Sequence, residues 1–194
     1  MPLYEDTSQP SVLQRLQPLP LFVARPEVKF PSARGEVAWE RCVYNAGAIR
    51  IDGVTYVLYR SLGEDGFSRL GLWITRDGVT EEKRLDWPVF AEEANFEGPA
   101  DLASRCKWHR EHLGMVREVG GCEDPRLMLV DGMLYMTYTA YGEDPLLAIA
   151  RIEVKQFLRL ARAGARYAEW APHWERLGVA IEGVMDKDAY ILPE

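Results

Sequence analysis

Two adjacent acids are the residues of this chain best placed for chemistry. Glu123 and Asp124 are followed by Pro125 and Arg126, and the four residues precede an apolar segment that turns at 131–132. A half-buried carboxylate beside an arginine is costly unless it has a partner or a task. An Asp-Pro turn whose acid accepts hydrogen bonds from backbone amides is the structural alternative. From residue chemistry alone, the two interpretations have about equal weight.

The surrounding pattern predicts antiparallel strands joined by tight turns. Asp-Gly pairs at 52–53, 77–78 and 131–132 separate runs of β-branched and aromatic residues, which is typical of β-hairpins. We expect an extended, proline-rich N-terminal segment over 1–36 and an insertion over 91–119. That insertion should contain a helix within 99–114, and a second short helix is expected over 154–168.

The sequence also repeats itself at a spacing of 79 residues. Residues 51–61 (IDGVTYVLYRS) align with 130–140 (VDGMLYMTYTA), and the match extends upstream so that Asn45 aligns with Asp124. A third start follows at 186–194. Repeated meanders that open with a polar loop are typical of β-propeller blades. We therefore predict an all-β fold, a β-propeller with short helical insertions, in which Asn45, Asp124 and Lys187 face one pocket.

The composition limits the classes of function. The chain has 194 residues, 47% of them hydrophobic, and a formal net charge of −7, which fits one globular domain over 1–194 and argues against nucleic-acid and anionic-membrane partners. No apolar run approaches the length of a membrane span, and the N-terminal stretch lacks the apolar core of a signal peptide. Three cysteines without a CxxC pair predict neither a disulfide framework nor a metal site. A cytoplasmic location is expected.

Several motifs in order resemble glycoside hydrolase family 130, the mannoside phosphorylases and related mannosidases. They lie at 39–40, 43–48, 52–60, 123–126, 138–141, 174–178 and 186–194. The resemblance implies a five-bladed β-propeller of which about three blades are covered here, without the C-terminal blades. It also implies cleavage of β-mannoside oligosaccharides with inorganic phosphate as co-substrate and no other cofactor, giving α-mannose 1-phosphate with inversion.

The resemblance further implies a role for each candidate residue. Asp124 lies on the catalytic proton donor of the family, and one carboxylate suffices because phosphate is itself the nucleophile. For Glu123 and Arg126, an ion pair that orients the loop is the structural alternative. The remaining candidates are Asn45, Arg60, Glu123 and Asp188 for substrate binding, and Lys187 and Arg151 for phosphate binding.

Two other functions remain as alternatives. A β-mannoside hydrolase of the same family would use a second acid to activate water. A chain with about three blades would instead be a truncated, non-catalytic carbohydrate-binding fragment, whose open sheet edges a homo-oligomer would cover. Phosphate-dependent turnover separates these alternatives.

Overall fold

The computed structural model describes residues 20–114 and 117–192. The first half of the predicted extended segment and the end of the last family motif, Pro193-Glu194, lie outside these residues. The prediction that residues 1–194 form a single domain stays a prediction. Residues Lys29–Ser32 (β1), within the predicted extended segment, pair with Gly35–Ala38 (β2), which runs two residues beyond it, as a small two-stranded antiparallel sheet.

The larger sheet contains the other eight strands. In chain order they are β3 (Cys42–Ile51), β4 (Val54–Leu62), β5 (Phe67–Thr75), β6 (Lys83–Arg84), β7 (Gly120–Val130), β8 (Met133–Tyr141), β9 (Pro145–Glu153) and β10 (Glu175–Val179). Their spatial order is β10-β9-β8-β7-β5-β4-β3, with β6 beside β5. Every pairing is antiparallel except that of β5 with β7.

The prediction of a β-propeller is wrong. The described residues are mostly β, but they form one mixed sheet of eight strands and no closed ring. The parallel pairing of β5 with β7, through Phe67 with Gly120 and Ser68 with Gly121, joins the two meanders into this sheet. Gly121 permits it, because its φ is +120° and a Cβ there would lie 2.2 Å from the Ser68 carbonyl oxygen. The sequence repeat describes the meanders but not the pairing between them.

The repeat of the first two units is confirmed, whereas the predicted third start forms no strand over residues 186–192. The meanders β3-β4-β5 and β7-β8-β9 have matching hairpins, and Asp52 and Asp131 both have φ of 49° in the turns. Both first strands also carry a β-bulge at the aligned position. The register shifts between Tyr44 and Ala46 in one strand and between Glu123 and Arg126 in the other.

The predicted helices are present, with different bounds. Helix α1 (Leu102–Leu113) begins after Asp101, whose carboxylate accepts a hydrogen bond from the Ser104 N–H at 3.0 Å, and ends at Gly114 with φ of 73°. The second predicted helix is divided. Helix α2 (Val154–Ala163) stops at Gly164, which has φ of 67°, and α3 (Tyr167–Trp170) follows.

One hydrophobic core joins both meanders and α2. Its fully buried members include Leu58, Leu70 and Leu72 from the first meander, Leu134, Met136 and Ala140 from the second, and Phe157 and Leu160 from α2. This shared core fixes the ends of β5 and β7 relative to each other. Across 20–114 and 117–192, the helices are too short or too polar to cross a membrane.

Candidate active site

The bulge in β7 directs the side chains of Glu123 and Asp124 towards the same arginine. Neighbouring residues of a regular strand point to opposite faces of the sheet. Asp124, however, has φ of 49° within the bulge, and both it and Glu123 contact the guanidinium of Arg60. Both acids are buried, with 6% and 7% of their surface exposed. A positive φ at a non-glycine residue is uncommon and concentrates at functional positions.

Arg60 is the centre of a cluster of acids. Its Nη1 lies 3.2 Å from Asp124 Oδ1, and its Nη2 lies 3.2 Å from Glu123 Oε1. The same Nη2 pairs with Glu118, and Nε donates to the Ser68 hydroxyl at 3.1 Å. That hydroxyl donates to Glu118 at 2.9 Å. We call these five residues the Arg60 cluster.

Burial, more than the neighbouring charges, changes the titration of Glu123. Burial raises the pKa of Glu123 to about 7, and the Asp124 carboxylate adds to the rise, while Arg60 and Lys187 oppose it. Among the described residues, Glu123 Oε1 has no hydrogen-bond partner, so its contact with Arg60 is ionic rather than directional. One acid of the cluster can therefore hold a proton near neutral pH.

The first meander approaches the same bulge through β3. At Gly47 a Cβ would lie 2.3 Å from the Pro125 carbonyl oxygen, so only glycine allows this approach. Asn45, two residues earlier, is exposed and has φ of 22° within its own bulge. The two aligned bulges thus belong to strands in close contact, as the repeat predicts.

The segment 186–190 packs over β7 and β8. Tyr190 Oη donates to the Leu127 carbonyl at 2.8 Å, and Thr137 Oγ1 donates to the Ala189 carbonyl at 2.7 Å. Lys187 is exposed and close enough to Glu123 to lower its pKa. The structure therefore brings Lys187 near the Arg60 cluster, on the solvent side.

Two arginines have partners other than those expected for them, and the phosphate-binding role of Arg151 stays a prediction. Arg126 does not pair with Glu123: its Nη2 lies 3.5 Å from Asp188 Oδ1, and its Nη1 donates to the carbonyls of residues 124 and 125. Arg151 does not reach the cluster either. It lies on β9 opposite Tyr135, bonds to that hydroxyl at 3.2 Å and pairs with Glu175 at 2.7 Å.

Sequence reasoning missed two members of the cluster, Glu118 and Ser68. Glu118 belongs to the insertion, and Ser68 lies at the start of β5. Glu118 comes near Arg60 because β5 pairs with β7, a pairing that no local pattern indicates. Ser68 reaches Arg60 across the β4–β5 hairpin, in which Arg60 pairs with Leu70 and Leu62 pairs with Ser68. Within the described ranges, no group of three or more His, Cys, Asp or Glu side chains is arranged to hold a metal ion.

Chemically, the cluster combines a buried acid with a fixed cation and an acid of raised pKa. A carboxyl group of this cluster that holds a proton can donate it to a leaving oxygen if a substrate lies within hydrogen-bond distance. A second carboxylate a few ångströms away can either share that proton or act as a base. Both possibilities belong to glycoside chemistry.

Comparison with known proteins shows which proteins this chain is similar to. No family model matches the chain. A 1,2-beta-oligomannan phosphorylase of Thermoanaerobacter sp. (strain X514) is 30% identical in an alignment of 175 positions that covers 86% of this chain and 47% of that protein. The chain thus spans about half the length of this curated relative.

Solved structures agree with that relationship. A putative glycoside hydrolase from Parabacteroides distasonis is 27% identical with a TM-score of 0.58, over 84% of this chain and 40% of that one. A structure from work on the GH130 family of mannoside phosphorylases, described as containing glycoside hydrolases that target β-1,2 mannosidic linkages in Candida mannan, is 28% identical with a TM-score of 0.57. That match covers 87% of this chain and 41% of the other. These relatives are glycoside phosphorylases and glycoside hydrolases. The comparisons confirm the resemblance of this chain to glycoside hydrolase family 130 that its motifs predict.

Proposed function

We propose that this chain carries the proton-donating part of a β-mannoside phosphorylase, with Asp124 as the donor. The observation that carries the proposal is the position of Asp124. Its buried carboxylate sits on a bulge with positive φ and is held by Arg60 at 3.2 Å. The 1,2-beta-oligomannan phosphorylase relative supports β-1,2-linked mannosides as the substrate class.

In the proposed reaction, an oxygen of inorganic phosphate attacks the anomeric carbon while the glycosidic C–O bond breaks. Asp124 gives its proton to the leaving oxygen, directly or through a sugar hydroxyl, and the product is α-mannose 1-phosphate with inversion. Asn45, Arg60, Glu123 and Asp188 are assigned to the sugar and Lys187 to phosphate. The ammonium of Lys187 is exposed, as a contact to a diffusible anion requires.

A β-mannoside hydrolase is the second candidate, and one specific observation favours it. Glu118 and Glu123 both contact the arginine that holds Asp124. Either would supply the second carboxylate that an inverting hydrolase needs to activate water. The GH130 family of that structural relative is described as containing glycoside hydrolases that target β-1,2 mannosidic linkages. The substrate class therefore does not separate the two candidates.

Phosphate dependence separates them. We expect the purified chain to release mannose 1-phosphate and one equivalent of free mannose from β-1,2-linked mannobiose with phosphate present, and neither product in its absence. Turnover that is indifferent to phosphate would favour the hydrolase. A folded sample without turnover in either condition would leave the carbohydrate-binding alternative.

The proton donor is tested by Asp124→Asn, which keeps the shape of the side chain but removes the acid. We expect a loss of at least about 100-fold in kcat, since general acid catalysis contributes about 10²–10⁴-fold. Asp131→Asn, in the hairpin turn, is the matched control because its φ is also 49° and it lies outside the cluster. Full activity of Asp124→Asn would show that Asp124 is not the donor.

A further inference from the structure

The insertion carries an exposed tryptophan that the proposed chemistry does not use. Trp108 lies on α1 with 52% of its surface exposed, whereas Trp39, Trp73 and Trp170 are almost fully buried. Exposed apolar surface in an ordered element is common for single side chains and gains meaning when a cleft adjoins it. Trp108 has such a cleft.

The indole of Trp108 is held in a fixed orientation by two histidines. The His112 ring stacks on it, with 4.6 Å between ring centroids and 16° between planes. His112 Nδ1 also lies 2.9 Å from the Trp108 carbonyl oxygen. His109 meets the indole edge-on at 5.7 Å. A ring that is already ordered loses little conformational entropy when a ligand binds.

A cleft of about 480 Å³ opens beside this indole, a volume typical of small-molecule sites. Residues 101, 104, 105 and 108 line it and recur at helical spacing, so they share one face of the insertion helix. Opposite them, the turn between β8 and β9 contributes Glu143. We call this the Trp108 cleft.

The polar groups of the Trp108 cleft suit a neutral, polyhydroxylated ligand. Arg105 Nη2 pairs with Glu143 Oε2 at 2.5 Å, so donors and an acceptor lie side by side, as vicinal hydroxyls require. The electron-rich indole face attracts the polarised C–H bonds of a pyranose ring. An anionic ligand would instead meet the carboxylates of Asp101 and Glu143.

Residues 117–119 contact both the Trp108 cleft and the Arg60 cluster. His109 Nδ1 accepts a hydrogen bond from the Arg117 N–H at 3.3 Å, and Arg105 Nη1 donates to the Val119 carbonyl at 3.4 Å. Between these anchors lies Glu118, which pairs with Arg60. One short segment therefore connects the tryptophan to the candidate proton donor.

We propose that the Trp108 cleft is a secondary subsite that binds a pyranose ring of a substrate longer than a disaccharide. The inference rests on the proposed function for the identity of the sugar. It adds that this subsite would favour longer oligosaccharide substrates over disaccharides. The subsite belongs to the insertion rather than to either meander.

The test measures binding rather than turnover. In the Asp124→Asn chain, which is expected to bind without cleaving, β-1,2-linked mannobiose and mannotetraose are titrated by calorimetry. We expect Trp108→Ala to weaken tetraose binding about tenfold and to change biose binding less than about twofold. Trp108→Phe keeps an aromatic face and should stay within about threefold of the Trp108 chain. Circular dichroism checks that each variant is folded.

Each outcome separates the subsite from the proposed function. Equal weakening for both sugars, no weakening for either, or no binding of tetraose would overturn the subsite. Trp108-dependent binding of tetraose by a chain that never releases mannose 1-phosphate would support the subsite and reject the phosphorylase. Because Trp108 is exposed, its replacement removes no core contact, and unfolding cannot imitate a length-dependent loss.

Discussion

At the residue scale, the organising feature is one guanidinium shared by three carboxylates. Arg60 cannot neutralise Glu118, Glu123 and Asp124 together, so a proton near neutral pH lowers the repulsion among them. Glu123 carries that proton because it is the acid whose burial raises its pKa to about 7. The proximity of a proton-holding acid and the proposed donor is what a purely structural ion pair would lack.

Glu123 also makes stability depend on pH in the direction opposite to a salt-bridged acid. Its pKa rises from an ordinary 4.5 to about 7 on folding, so the folded chain binds more protons between these values. The stabilisation is complete below about pH 4.5 and is lost as the pH rises through 7. We expect Glu123→Gln to remove this pH-dependent loss of folding stability.

The measurement is the free energy of unfolding by urea at pH 5 and at pH 8. Between these values the native chain should lose about 2–3 kcal/mol more than Glu123→Gln. Glu111→Gln, on the exposed side of α1, is a suitable control and should follow the native chain. Parallel pH profiles for the native chain and Glu123→Gln would mean that Glu123 titrates normally.

At the element scale, the site depends on how closely β3 and β7 approach. Gly47→Ala tests this, because the added Cβ would meet the Pro125 carbonyl oxygen at 2.3 Å and force the strands apart. Overpacking of this kind costs about 1–3 kcal/mol. We expect a lower midpoint of urea unfolding together with a lower kcat/KM, since the bulge that carries Asp124 moves.

A matched control for Gly47→Ala is Gly98→Ala. Gly98 has an extended backbone with φ of −159°, and the nearest atom to its added Cβ is a ring carbon of Phe67 at 3.4 Å. Its cost should stay within about 0.5 kcal/mol. If the two substitutions cost the same, close approach of β3 to the bulge is not what stabilises the site.

The elements also show what local patterns can and cannot predict. Asp-Gly turns, Gly114 and Gly164 mark hairpins and helix ends because each needs a left-handed backbone that these residues adopt cheaply. The repeat further aligns the bulges of Asn45 and Asp124. The β5–β7 pairing was not predictable, because a parallel contact between distant strands has no local pattern. For the same reason, Glu118 was missed, whereas Ser68 lies across the β4–β5 hairpin from Arg60 and was overlooked.

At the scale of the whole molecule, the two meanders share one core. Leu72 in β5 and Leu134 in β8 are both fully buried in the same hydrophobic cluster, and β5 pairs directly with β7. A repeat whose units were separate would instead bury each core by itself. The described residues should therefore unfold in one cooperative transition.

Leu72→Ala and Leu134→Ala test this cooperativity. Each removes buried methyl groups and should cost about 2–5 kcal/mol. If the meanders form one unit, either substitution should raise the amide hydrogen exchange of β4 and of β8 by the same factor under conditions of global unfolding. Leu129→Ala is the control, because Leu129 is 44% exposed and its loss should change little. Faster exchange confined to the meander that carries the substitution would mean that the parallel β5–β7 pairing joins two independent units. The Arg60 cluster would then lie across a flexible junction rather than in a fixed site.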